Sequence, residues 1–143
     1  MAKTSRSKPL KYADKSSGQP EMADIFNAIK KILSGFAKGN FVVKSDRPGC
    51  FEVYYNREVE IMDRIHPELC FASLLIQKGY VGFYYFPVYM NTALKQKIAP
   101  ELLKCLKGKT CFHIVKNDPK LFSQIHDALN AGRDFYSSRG WKQ

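Results

Sequence analysis

The sequence predicts an α+β fold, a two-layer sandwich in which helices cover one face of an antiparallel sheet of about five strands. Apolar residues recur at helical spacing before residue 40 and after residue 118. Between residues 41 and 86 they alternate with polar residues, as they do in strands with one buried face. Short stretches containing glycine or proline separate these segments and favour turns. A chain of 143 residues is long enough for one hydrophobic core, so we expect one folded domain.

Residues 1–19 are predicted to form a disordered basic tail, and the folded domain is predicted to span residues 20–143. The tail contains five lysines and arginines against one aspartate, in a chain whose formal net charge is +10. Its serine, lysine, proline and glycine content offers too little apolar surface to offset the chain entropy that folding removes. We therefore expect it to remain solvated.

The first helix is predicted to begin at Pro20, because a first helical position does not need an N–H donor. Gly39 and Asn40 suit its C-terminal end. Its apolar face, which repeats at three and four residues, consists of Met22, Ile25, Phe26, Ile29, Ile32, Leu33 and Phe36.

A first hairpin is predicted after a short strand at residues 41–43. The segments CFEVYY and REVEIMD both alternate, and their polarity decides how they pair. A three-residue loop sets Val53 opposite Val59 and Glu52 opposite Glu60, which keeps the carboxylates off the apolar face. We predict that loop.

A second hairpin is predicted to turn at Lys78 and Gly79, between the strands LCFASLLIQ and YVGFYYF. Pairing outward from this turn divides the side chains between two faces. The core face is predicted to carry Ala72, Leu74, Ile76, Val81, Phe83 and Tyr85. The opposite, mixed face is predicted to carry Ser73, Leu75, Gln77, Tyr80, Gly82 and Tyr84.

The remaining elements alternate between helix and strand. Asn91 is predicted to cap a short helix, and Pro100 to open another. TCFHIV, residues 110–115, is predicted to be the last strand. A final helix is predicted to begin at Asp118 and to end at Gly140.

Several classes of protein are disfavoured by what the sequence lacks. No run approaches the ~20 apolar residues of a bilayer span, and the N-terminus has no apolar signal region, so we expect a cytoplasmic protein. In that compartment the four cysteines are expected to be reduced. The sequence contains no nucleophile elbow, phosphate loop or HExxH motif, and we predict that it is not an enzyme.

The leading prediction is a binding module that uses the mixed face of the sheet. Aromatic side chains on that face exceed what solvation requires, which is typical of a contact surface for a small ligand or a protein partner. The predicted binding residues are Glu52, Tyr54, Tyr80, Tyr84 and His113. No cofactor is expected for this activity.

A metal-handling protein is the first alternative. Carboxylates near a histidine can hold a divalent cation such as iron, because hard cations favour oxygen ligands and iron accepts imidazole. The candidate ligands are Glu58, Glu60, Asp63 and His113.

Nonspecific nucleic-acid binding is the second alternative, since the phosphate backbone requires only positive charge. The segment KGYVGFYYF is similar to an RNA-stacking strand, but one additional residue places Gly82 where a stacking ring is needed. The candidate phosphate contacts are Lys30, Lys31, Lys104, Lys107 and Lys109.

Two long stretches resemble a known family. FASLLIQKGYVGFYYFPVY (71–89) and IAPELLKCLKGKTCFHIVKND (98–118) are similar to the bacterial YdhG-like domain of unknown function, and the likeness covers nearly all of residues 12–143. GFYYFPVY, PELLK and GKTCF are its most specific motifs. The resemblance implies a compact α+β domain related to the frataxin-like fold. Some relatives are described as frataxin-like intracellular iron-delivery proteins, and the family defines no catalytic residues.

Overall fold

The computed structural model describes residues 3–4, 12–61 and 63–138, and it confirms an α+β fold built on an antiparallel sheet. The main sheet has six strands, where about five were predicted, in the order β2-β3-β6-β7-β9-β8. Those strands are β2 (Phe41–Arg47), β3 (Cys50–Tyr55), β6 (Leu69–Gln77), β7 (Tyr80–Tyr85), β8 (Leu106–Lys107) and β9 (Cys111–Ile114). The additional strand is β8, a two-residue edge strand that pairs with β9.

Four α-helices and one 3-10 helix accompany the sheet. They are α1 (Pro20–Ser34), α2 (Pro87–Met90), the 3-10 helix Thr92–Lys97, α3 (Pro100–Leu103) and α4 (Pro119–Ser138). Helix α1 begins at Pro20 as predicted but ends earlier than predicted. The Gly35 and Phe36 N–H groups bond to carbonyls three residues back, at 3.1 and 2.9 Å, and this tightened turn ends the helix. The Asn91 cap is confirmed, since its side chain accepts a bond from the Ala93 N–H at 3.2 Å.

The predicted first hairpin is wrong. Val53 pairs with Val43 and with Ala72, so β3 lies between β2 and β6. Val59 belongs to a separate small sheet, where β4 (Val59–Ile61) pairs with β5 (Arg64–His66), and β5 with β1 (Lys3–Thr4). Val59 is fully buried, as its alternation suggested. Alternation predicts which side of a strand is buried, but it does not predict which strand lies beside it.

The predicted second hairpin is confirmed in both its turn and its register. Gln77 pairs with Tyr80, and Gly79 adopts a φ of 83°, a left-handed conformation that glycine accepts without strain. Ser73 pairs with Tyr84 and Leu75 with Gly82, as the turn at Lys78 and Gly79 requires. Every residue of the predicted core face is at most 2% exposed: Ala72, Leu74, Ile76, Val81, Phe83 and Tyr85.

Helices α1 and α4 contact the same face of the main sheet. Helix α1 packs on β3, β6 and β7, and its buried residues join those of the sheet in one core. Helix α4 is tied to this face by two phenols, because Tyr85 donates to the Ala128 carbonyl and Tyr136 donates to the Cys70 carbonyl. Gly132 lets α4 approach closely, since a Cβ there would lie 2.5 Å from the Tyr85 hydroxyl. No helix in the described part of the chain is long and apolar enough to cross a membrane.

The segment 12–19 differs from the predicted disordered tail. The Tyr12 hydroxyl donates to the Ile76 carbonyl at 2.7 Å, and the Gln19 amide donates to the Gln77 carbonyl at 3.1 Å. The Gln19 side-chain oxygen also accepts from the Gly79 N–H at 2.8 Å. These bonds use backbone groups at the second hairpin, and they hold the segment against the sheet. The rest of the predicted tail, apart from β1, and the predicted helix end at Gly140 lie outside the described residues.

Candidate functional site

A pocket of about 320 Å³ opens on the face of the main sheet opposite α1 and α4. We call this face the outer face. The pocket is lined by Glu52, Tyr54, Cys70, Ser73, Leu75, Tyr84 and Phe86. Three of the five predicted binding residues therefore lie together: Glu52, Tyr54 and Tyr84.

Glu52 is the charged group of the pocket, and strand pairing places it there. It lies in β3, with Ser45 opposite it on β2 and Ser73 opposite it on β6. Both serine hydroxyls donate to its carboxylate, Ser45 to Oε1 at 2.9 Å and Ser73 to Oε2 at 3.0 Å. Glu52 is only 6% exposed and Ser73 only 4% exposed, so a polar group is held inside a mostly apolar surface.

Aromatic rings form the walls of the pocket. Tyr84 lies over Gly82, where an added Cβ would come within 2.7 Å of the Tyr84 ring. The absence of a side chain at Gly82 therefore allows the Tyr84 ring its position. On the other side, the Lys44 ammonium lies 5.1 Å from the centre of the Tyr54 ring and pairs with Glu68. Phe86 follows β7 directly and contributes the third ring.

The other two predicted binding residues are outside the pocket but form a unit of their own. The Tyr80 and His113 rings stack with centroids 3.7 Å apart and planes 8° apart. His113 pairs with Gly82 across β7 and β9, which places this stack farther along the outer face. A ring already covered by another ring has less surface for a ligand, so we assign this stack a packing role.

The pocket thiol and phenol hold their protons strongly. Burial raises the pKa of the Cys70 thiol to about 12, against a hydrogen bond with Ser73 that lowers it. Burial also raises the pKa of Tyr84 to about 12, and the neighbouring Cys111 adds to the shift. Both groups are therefore neutral at physiological pH, and Glu52 is the one carboxyl side chain in the pocket lining.

These two shifts predict that alkali destabilises the protein. The unfolded chain loses these protons near the ordinary pKa values of 9.0 and 10.0, whereas the folded chain keeps them up to about 12. The stability that the groups contribute is complete below pH 9.0 and is lost as the pH rises towards about 12. General charge repulsion is smallest near the isoelectric point of about 9.5, so it does not explain a loss that begins there.

Urea unfolding at a series of pH values from about 8 to about 11 measures this loss as a falling free energy of unfolding. Tyr84→Phe removes one of the titrating groups, and we expect a shallower fall for that variant. A free energy of unfolding that stays constant over this range would contradict the assignment.

The structure does not bring the predicted metal ligands together. Glu58, Glu60 and Asp63 are exposed around β4, in the small sheet, whereas His113 is stacked on Tyr80 in the main sheet. Within residues 3–4, 12–61 and 63–138, no three His, Cys, Asp or Glu side chains form a group that could hold a metal ion. The alternation of Glu58 and Glu60 with apolar residues predicted that these carboxylates point away from the core. Strand β4, which contains Glu60 and directly follows Glu58, belongs to the small sheet and not to the main sheet that contains His113.

The predicted phosphate contacts are also divided between distant positions. Lys30 on α1 forms an ion pair of 2.7 Å with Asp46 on β2, one edge strand, and Lys31 is next to it. Lys107 lies in β8, the opposite edge strand, between Lys104 and Lys109. Five strand spacings of ~4.8 Å separate these edges by about 24 Å. The five lysines therefore do not form one basic patch.

Four pocket residues were not predicted as part of the site: Cys70, Ser73, Leu75 and Phe86. Ser73 was placed on the correct face, and a lone serine within the apolar strand LCFASLLIQ was the available signal for a buried polar partner. Cys70 faces the pocket because the register of β3 and β6 shifts between Val53 and Tyr54, which pairs Tyr54 with Cys70. Such a bulge has no signature in this sequence.

Comparisons with protein-family models, with curated proteins and with solved structures gave no match.

Proposed function

We propose that this chain is a non-catalytic binding module that takes a small ligand in the outer-face pocket. The observation that carries the proposal is a buried, hydrogen-bonded carboxylate, Glu52, in the lining of a pocket that also contains three aromatic rings. Ligand pockets are mostly apolar and contain a few placed polar groups that orient the ligand. A volume of about 320 Å³ is at the small end of the range for such sites.

The absence of catalysis is supported by the state of the pocket groups. A thiol whose pKa is about 12 is not a nucleophile at neutral pH, and the same holds for the Tyr84 phenol. We place the module in the cytoplasm, where reducing conditions keep thiols such as Cys70 free.

The finer description of the fold belongs to the same proposal. A two-layer sandwich leaves one face of the sheet without helices, and α1 and α4 both contact the face opposite the pocket. The YdhG-like resemblance and its frataxin-like iron delivery remain predictions. Adding ferrous iron to a labelled sample tests them, because iron handling would broaden NMR resonances near Glu58, Glu60 and His113.

Two tyrosines on one strand provide a matched test of the pocket. Tyr84 lines the pocket, whereas Tyr80 stacks on His113, although both project from the outer face of β7. A set of small apolar and polar fragments is titrated into the ¹⁵N-labelled protein, and the amide shifts are mapped by residue. We expect the fragments that bind to shift the amide resonances of Glu52, Ser73 and Tyr84. We expect Tyr84→Ala to weaken the affinity for these fragments by roughly tenfold or more, because about 1.4 kcal/mol of ring contact is lost.

Tyr80→Ala is the control, and we expect it to leave the affinity of the same fragments within about twofold. The proposal would be overturned by an absence of shifts around the pocket, or by equal losses in the two variants.

A further inference from the structure

We infer that the outer-face pocket is selective for an organic cation, a primary or methylated ammonium group joined to an apolar chain. This inference rests on the proposed function and names the ligand class for that site. It is carried by the charge of Glu52, the rings around it and a second apolar cavity beside them.

Glu52 has acceptor capacity that the protein does not use. An ionised carboxylate offers about four lone-pair positions, and Ser45 and Ser73 occupy two of them. Among the described residues, no lysine, arginine or histidine forms an ion pair with it. Glu68 is the other carboxylate close enough to raise the pKa of the Cys70 thiol, and it forms an ion pair with Lys44. The pocket lining therefore contains one carboxyl group that has no cationic partner among the described residues.

Keeping this charge buried is unfavourable unless a partner arrives. A buried ion without a counter-charge loses its hydration, and two neutral hydroxyls replace only part of it. A glutamine would have nearly the same shape without the charge. An ammonium group supplies both the missing hydrogen-bond donors and the opposite charge, and such bonds are stronger than those between neutral groups.

The aromatic walls favour the same ligand. Tyr54, Tyr84 and Phe86 line the pocket together with Glu52, and the faces of such rings attract cations, including methylated ammonium groups. The Lys44 ammonium over the Tyr54 ring is an example within this protein. Rings and carboxylate together discriminate against an anion, which both would repel.

The net charge of +10 does not outweigh this local arrangement. At physiological ionic strength, charges farther than about 8 Å are largely screened. Glu52 would be in direct contact with the ligand, and screening is weaker where water is excluded. The closest charge, not the total, therefore decides the preference.

A second cavity provides room for the apolar part of the ligand. It measures about 290 Å³ and shares Cys70 and Phe86 with the first. The rest of its lining is mostly apolar: Ile61, His66, Leu69, Tyr89, Met90 and Tyr136. A chain that passes Phe86 with its ammonium at Glu52 would lie against this surface.

Three probes of equal length test the inference: hexylammonium, 1-hexanol and hexanoate. Each is titrated into the ¹⁵N-labelled wild-type protein near pH 7, where an amine with a pKa of ~10.4 is charged. We expect hexylammonium to shift Glu52, Ser73 and Tyr84 at concentrations roughly tenfold lower than 1-hexanol, and hexanoate to bind more weakly than either.

Glu52→Gln keeps the shape of the side chain, and we expect it to bring the affinities for hexylammonium and 1-hexanol within about twofold of each other. Glu60→Gln removes the same charge from an exposed strand of the small sheet and is expected to leave the wild-type preference intact. Should Glu52→Gln not fold, as judged by circular dichroism, the three probes on the wild type still decide the question.

The outcomes separate this inference from the function on which it rests. If 1-hexanol or hexanoate shifts the pocket resonances at the same concentration as hexylammonium, the cation preference is overturned. The pocket would then still be a binding site. Shifts from none of the three probes, and from none of the fragments, would overturn both.

Discussion

The Gly132→Ala variant is expected to be less stable than the wild type by about 2 to 4 kcal/mol. A Cβ at this position would lie 2.5 Å from the Tyr85 hydroxyl and 2.8 Å from Cγ of Pro87. The Tyr85 ring is fully buried and its hydroxyl donates to the Ala128 carbonyl, so the ring has no open space to enter. Overpacking costs about 1 to 3 kcal/mol, and losing the buried hydrogen bond costs a similar amount. Alanine recovers only about 1 kcal/mol through its higher helix propensity.

Urea unfolding followed by circular dichroism measures this difference, and the Tyr85→Phe background isolates its cause. Tyr85→Phe removes the hydroxyl and with it the closest clash. In that background Gly132→Ala should therefore lower the free energy of unfolding by at least about 1 kcal/mol less than it does in the wild type. Ser123→Ala, on the exposed side of the same helix, is expected to change stability by less than about 0.5 kcal/mol. Equal costs of Gly132→Ala in both backgrounds would contradict the proposed contact.

The Tyr136→Ala variant is expected to lose about 3 to 5 kcal/mol, because it empties the centre of an aromatic cluster. The Tyr136 ring is fully buried, with the Phe71 and Tyr55 rings 5.6 and 5.7 Å away. Its hydroxyl also donates to the Cys70 carbonyl at 2.7 Å, which ties α4 to β6 beneath the pocket. Both the cavity and the lost bond lower the free energy of unfolding.

Tyr136→Phe separates the two contributions, since it keeps the ring and removes only the hydroxyl. We expect a loss of about 1 to 3 kcal/mol for this variant, from the Cys70 carbonyl that loses its buried donor. The amide resonances of Cys70 and Tyr54 should shift as well, because these residues pair across β3 and β6. If Tyr136→Phe were as unstable as Tyr136→Ala, the ring contacts would have been overestimated.

Local signals in the sequence predicted much of the fold correctly. Pro20 marked the start of α1, Asn91 capped the 3-10 helix, and Gly79 marked the turn of the second hairpin. Each depends on the chemistry of one residue and its neighbours along the chain. Once the turn at Gly79 was placed, the period of two assigned the faces of β6 and β7 without information about the rest of the structure.

Long-range pairing was not predictable in the same way. The first hairpin assumed that β3 pairs with the next segment along the chain, whereas its neighbours are β2 and β6. The same error placed Glu60 on the main sheet, and with it the metal site that included His113. The position of Tyr12 was missed because a composition rich in lysine and serine conceals one aromatic hydroxyl that reaches the Ile76 carbonyl.

The candidate site was predicted in part for the same reason. Glu52, Tyr54 and Tyr84 were chosen because they face away from the core, which the alternation indicates. Their closeness to Cys70 and Phe86 depends on the register shift between β3 and β6 and on the start of α2, which alternation does not encode. The stack of Tyr80 on His113, which removes both from the pocket, depends on the pairing of β7 with β9.

A crystal structure of the protein soaked with hexylammonium tests the central claim most directly. We expect electron density for the probe between Tyr54, Tyr84 and Phe86, with its nitrogen about 3 Å from a Glu52 carboxylate oxygen. The apolar chain should extend past Phe86 towards Met90. Density for the probe only elsewhere on the protein, or a nitrogen directed away from Glu52, would contradict the account.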